Sequence, residues 1–131
     1  ADSLLKSGAP LWLMPLDATN CLPISMAFLK DLSAYRSYPL VELAGQFWAC
    51  TVASIPTYEF TYYLWDVMAT CCLGLGDDVI DWQDIRLSVR TSEPSEGNTY
   101  RDENGSLVKV AMQANRQAVV DYLVRQLQHN I

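Results

Sequence analysis

Trp65 and Asp66 put one indole beside one carboxylate in a segment, Thr61 to Thr70, whose other residues read as buried helix. Helix interiors rarely take a carboxylate unless something pairs with it. A cation or a polar ligand at Asp66 would supply that pairing, and Trp65 would offer a flat apolar face next to it. By patterning alone the plainer reading is a helix aspartate that reaches solvent or meets an Arg, beside a core indole. The cysteines Cys21, Cys50, Cys71 and Cys72 do not have zinc spacing, and the sole histidine, His129, lies two residues from the end. With no histidine partner, adjacent Cys71 and Cys72 read as small hydrophobes rather than as nucleophiles or disulfides. That usage fits a reducing compartment, so a cytoplasmic location is expected.

The 131 residues carry a formal net charge of −6 and are 50% hydrophobic. This suffices for one domain with a real core, spanning 1–131, and not for two. The acidic balance and the lack of any Lys/Arg cluster argue against nucleic acid as a partner. No apolar run reaches spanning length, because Asp66, Asp77 and Asp78 interrupt the most apolar region, so no membrane partner is expected. The first residues, Ala1 to Lys6, lack both a signal-peptide layout and an initiator Met. Processing or excision from a longer chain is the corresponding expectation.

The elements that must position these groups can be read in order. Ala1–Ser7 reads as a helix tail stopped by Gly8. Leu11–Met14, between Pro10 and Pro15, reads as a strand buried on both faces, followed by a loop over Leu16–Pro23. A helix is expected from about Ser25 to Ala34, and another with Pro39 in its first turn. The Ser-Ile-Pro break within Ala53–Thr57 marks a connection, and the helix bearing Trp65 and Asp66 is expected over Tyr58–Leu73. Asp84–Arg90 alternates as a strand, and Glu93–Asn98 reads as a loop. Thr99–Arg101 and Leu107–Met112 look like a hairpin turned by Asp102-Glu103-Asn104-Gly105. Asn115 is placed to cap a last amphipathic helix. The sum is an α/β layout with an antiparallel hairpin attached.

Three landmarks recur in a fixed order: Met14-Pro15-Leu16-Asp17-Ala18-Thr19-Asn20, Tyr63-Leu64-Trp65-Asp66-Val67-Met68-Ala69, and Glu96-Gly97-Asn98-Thr99. Together, across essentially the whole chain, they resemble the C-terminal part of the inosine–uridine-preferring nucleoside hydrolase family. The resemblance implies an open, mostly parallel, Rossmann-like sheet flanked by helices, with the hairpin near its end. It also implies calcium-dependent hydrolysis of the N-glycosidic bond of ribonucleosides, within purine metabolism and nucleoside salvage.

By motif match, Asp66 is the one calcium ligand that the C-terminal part contributes. The family's Asp-rich N-terminal motif and its Asn-containing ribose-binding segment have no counterpart in these residues. The chain therefore reads as the last two-fifths of such an enzyme, inactive alone, with the N-terminal portion as its partner and a homo-oligomer expected. Calcium wants six to eight oxygen ligands, so one carboxylate cannot hold it alone. The implied chemistry is water attack at the anomeric carbon through an oxocarbenium-like state, with the general base among the absent aspartates.

The resemblance assigns nucleoside contacts to Trp65, Asp66, Tyr58 and Asn20. For Trp65, stacking on the base and packing in the core both stand, and an indole suits the larger purine. Tyr58, Tyr62 and Tyr63 read mainly as packing, with Tyr58 the one best placed to touch or protonate the leaving base. Asn20 is left open between ligand contact and loop structure, whereas Asp17 reads as a loop residue satisfying its own backbone. Glu96 and Arg101 read as solvated charges and His129 as a tail residue. The competing reading is a non-catalytic binding or assembly module built on the same fold.

Overall fold

The computed structural model describes residues 1–54, 61–76 and 78–129. The order is α1 (Asp2–Leu5), β1 (Trp12–Leu13), α2 (Leu16–Thr19), α3 (Met26–Ser33) and α4 (Pro39–Ser54). It continues with α5 (Trp65–Cys71), β2 (Ile80–Val89), β3 (Thr99–Arg101), β4 (Ser106–Ala114) and α6 (Arg116–Leu127). The α/β class is as expected, and helices flank a four-stranded sheet ordered β1-β4-β2-β3.

Local chemistry explains the helices that start where the sequence indicates. Ser25 accepts from the Phe28 amide at the head of α3, and Asn115 from the Ala118 amide at the head of α6. Each satisfies one of the orphan donors of a helix N-terminus. Pro39 opens α4, where its missing N–H costs nothing. Gly8, at φ 77, turns the chain after α1, a conformation open to glycine.

Several expectations are corrected. The helix bearing the Trp–Asp pair begins at Trp65, not near Tyr58, and ends at Cys71. Residues 62–64 instead pair with the chain at 22–24 through an antiparallel bridge between Pro23 and Tyr63. The Leu16–Pro23 loop contains the one-turn helix α2, which buries Ala18 and Thr19. β1 is two residues long and lies at an edge of the described sheet, leaving Trp12 60% exposed. Its ring lies beside Trp82 and under the Lys109 ammonium, which is 4.5 Å from the ring centroid.

The sheet is also less parallel than expected. Among the described strands only β1–β4 is parallel, while β2 runs antiparallel to both β4 and β3. β3 and β4 do not form a hairpin, because β2 lies between them. The Asp102–Gly105 turn carries the chain across β2, with the Arg86 guanidinium donating to the Gly105 carbonyl and the Ser88 hydroxyl to Asp102. The hairpin is β2–β3, closed by reciprocal Arg90, Asn98 and Gly97 backbone bonds across the Glu93–Asn98 loop.

Two apolar clusters sandwich the sheet. The larger joins Leu22, Phe28, Leu32, Val41, Leu64, Met68, Ile80, Ala111 and Val119. The smaller joins Leu87, Val108 and Val110, with Leu5, Leu11, Leu13 and Ile85 against it. The larger cluster holds the start of α5 against α2, which places the candidate site.

Candidate functional site

The site sits where the chain after β1 meets the head of α5. Two backbone bonds join the pieces: the Leu64 amide donates to the Leu22 carbonyl and the Ile24 amide to the Tyr62 carbonyl, both at 2.9 Å. Leu22 and Leu64 are buried, so the join is anchored in the core. Pro23 tolerates its central position because an isolated bridge asks little of its missing N–H.

This join brings Asn20, at the C-cap of α2, to Trp65, the first residue of α5. The indole N–H donates to the Asn20 side-chain oxygen at 2.9 Å. The Tyr62 and Tyr63 rings approach the indole at centroid distances of 5.4 and 5.7 Å. Tyr62 and Tyr63 thus pack, in line with expectation, and Trp65 is half-buried between core and surface. Tyr58 lies outside the described residues.

Asp66 follows in the first turn of α5 with its side chain exposed. It is not a carboxylate in a helix interior, because the helix starts one residue before it. Among the described residues its carboxylate makes no hydrogen bond or ion pair. A hard cation could use this oxygen pair without first breaking an internal contact. Among the described residues, however, no group of three or more His, Cys, Asp or Glu side chains is placed to hold a metal. One carboxylate by itself does not make a calcium site, since that ion takes six to eight oxygens. Asp17 lies exposed in the first turn of α2.

The thiols offer no rival chemistry. Burial pushes the Cys71 and Cys72 thiols up, and the adjacent Cys72 adds to the rise at Cys71. Burial raises Cys21 as well, against the opposing pull of Arg116. All four cysteines are free, and the raised thiols of Cys21, Cys71 and Cys72 make poor nucleophiles. A groove of about 1030 Å³ runs between α3 and α6, lined by Leu32, Tyr35, Leu75 and Tyr122 among others, and Asn20, Trp65 and Asp66 do not line it.

The link between Asn20 and Trp65 escaped sequence reading. Forty-five residues separate the two, and nothing local to either signals the other.

Helices on a mixed four-stranded sheet, with an acid–indole pair at the head of α5 beside the chain that follows β1, define an α/β layout. Comparison with solved structures gives that layout its relatives. An inosine–uridine preferring nucleoside hydrolase from Bacillus anthracis superposes with a TM-score of 0.81 at 27% identity, over 97% of this chain and 39% of that one. A purine-preferring ribonucleoside hydrolase from Gardnerella vaginalis gives 0.73 at 17% identity, over 98% and 42%. An inosine–guanosine nucleoside hydrolase gives 0.77 at 15% identity, over 99% and 43%. No family model matches the chain, and no curated protein matches it. The chain spans about two-fifths of the length of these structures. The nucleoside hydrolase resemblance carried by the three sequence landmarks is thus shared by the fold. No helix of the described residues is long and apolar enough to cross a membrane.

Proposed function

We propose that this chain is part of an enzyme that hydrolyses the N-glycosidic bond of ribonucleosides, releasing ribose and the free base. The observation that carries the reading is the 27% identity and 0.81 TM-score with an inosine–uridine preferring nucleoside hydrolase, sustained over 97% of the chain. The remaining carboxylates and the ribose-binding segment come from a part of the enzyme outside these residues, and the assembled enzyme is a homo-oligomer.

In this reading Asp66 donates carboxylate oxygens to a calcium ion, for which its exposure and lack of partners among the described residues suit it. Bound calcium supplies an electrophile that holds ribose hydroxyls and acidifies water. Trp65 sits beside that carboxylate and offers a π face to the nucleobase, and the breadth of an indole favours a purine. Asn20 belongs to the same site through its hydrogen bond with the Trp65 indole. Tyr58 is assigned to the leaving base.

The test is release of reducing sugar from inosine and uridine by the native polypeptide that carries these residues, with calcium or with a chelator. Turnover that calcium supports and the chelator abolishes is expected. A polypeptide that binds nucleosides yet releases no ribose under either condition would instead favour a non-catalytic module.

A further inference from the structure

An indole has a single polar atom, an N–H that only donates. In Trp65 that donor is taken up by the Asn20 side-chain oxygen at 2.9 Å. The ring is also held from its own segment, by Tyr62 at 5.4 Å and Tyr63 at 5.7 Å. Asn20 in turn is fixed, because it caps α2 with helical backbone angles and its amide donates to the Leu16 carbonyl at 2.8 Å. Both partners therefore stand on the same core-anchored join between residues 22–24 and 62–64.

We propose that Asn20 is a positioning residue for Trp65. By occupying the indole N–H it sets the plane of the ring and removes its one hydrogen-bond donor from the ligand's reach. The indole then meets a nucleobase through its π face alone, and the site selects a base by stacking area rather than by an indole hydrogen bond. The inference rests on the nucleoside hydrolase reading for its ligand, while the coupling between the two side chains stands apart from it.

The test uses Asn20→Leu, Asn20→Asp, Trp65→Phe and the double variant Asn20→Leu/Trp65→Phe in the native polypeptide. Asparagine and leucine are close in size, leucine lacks the acceptor, and aspartate keeps it. The first readout needs no turnover: solvent exchange of the Trp65 indole proton, identified by its loss in Trp65→Phe. Asn20→Leu should speed that exchange about fivefold, the worth of one exposed hydrogen bond, and Asn20→Asp should restore it. The second readout is KM against kcat for inosine. Asn20→Leu should raise KM about fivefold and change kcat less, with Asn20→Asp close to the parent. In the Trp65→Phe background the same Asn20→Leu change should move KM less than about twofold.

Unchanged indole exchange in Asn20→Leu overturns the coupling. A full KM effect that persists without the indole overturns the positioning role and assigns Asn20 to direct contact with the nucleoside. A native polypeptide that turns over no nucleoside overturns the functional reading and base selection with it, while the exchange result still decides the coupling.

Discussion

The Leu64 amide donates to the Leu22 carbonyl at 2.9 Å, and the two side chains are 3% and 0% exposed. One hydrogen bond and two buried aliphatic groups thereby fix the head of α5 to the chain that follows α2. The site inherits its geometry from that pair, since Trp65 is the next residue after Leu64 and Asn20 lies two before Leu22.

Truncating Leu22 should therefore act on stability and on the site together. Leu22→Ala leaves a cavity in the larger core and should cost about 3 kcal/mol, read as a lower urea midpoint with an unchanged slope. It should also speed solvent exchange of the Trp65 indole proton well before global unfolding. A loss of stability with indole exchange tracking only global unfolding would show that the site does not depend on this join.

Gly105 carries a second constraint. A Cβ on it would stand 2.4 Å from the Leu87 carbonyl oxygen and 2.9 Å from the Leu87 nitrogen. Both neighbours are backbone in the middle of a paired strand, so neither can step aside cheaply. Gly105→Ala should destabilise by about 3 kcal/mol, at the upper end for overpacking. Gly97→Ala is the comparison, because there the strain comes from its φ of 88 with nothing within 4 Å of a Cβ. Urea unfolding of the two variants separates steric contact from backbone conformation, and equal costs would refute the contact argument at Gly105.

What the sequence revealed and what it concealed divide along the same line. Ser25 and Asn115 announce α3 and α6 because a cap bonds within three residues of itself. The start of α5 could not be read, because residues 62–64 are held extended by partners forty residues away rather than by their own propensity. The Asn104-Gly105 pair correctly signals a turn, but turn chemistry does not say which strands flank it, and β2 had already taken the place between β3 and β4. Asp66 is exposed because α5 begins at Trp65, whereas a helix extended upstream to Tyr58 would place it in an interior turn. The three ordered landmarks nevertheless pointed to the fold that the solved relatives share.

Asp102 gives the crossing turn a pH dependence. The Ser88 hydroxyl, and after it the Asn104 amide, hold its carboxyl below the ordinary aspartate value, with desolvation opposing weakly. A depressed folded-state pKa stabilises the fold wherever the carboxylate is charged in both states, and the gain is lost as pH falls through the folded value. Asp102→Asn should thus lower Tm at neutral pH. The difference from the parent should shrink below about pH 4, where the unfolded carboxylate protonates first. Thermal unfolding across that range is the measurement, and a gap that stays constant down to strongly acid pH would exclude charge as its origin.

Asp66 offers the sharpest separation of structure from function. As an exposed acid in the first turn of α5 it gains at most about 1 kcal/mol from the helix dipole, and screening by salt lowers that, whatever else it does. Asp66→Asn should therefore leave the unfolding free energy within about 1 kcal/mol of the parent. Outer-shell partners of metal ligands already cost about 10- to 100-fold when lost, so a direct ligand should cost on the order of a hundredfold or more in kcat/KM. The rise in Tm that calcium confers on the native polypeptide should fall with it, because a ligand stabilises only in proportion to its affinity. An Asp66→Asn variant with parental turnover and a parental calcium-induced rise in Tm would remove Asp66 from the metal site and return it to the plainer role of a helix-head acid.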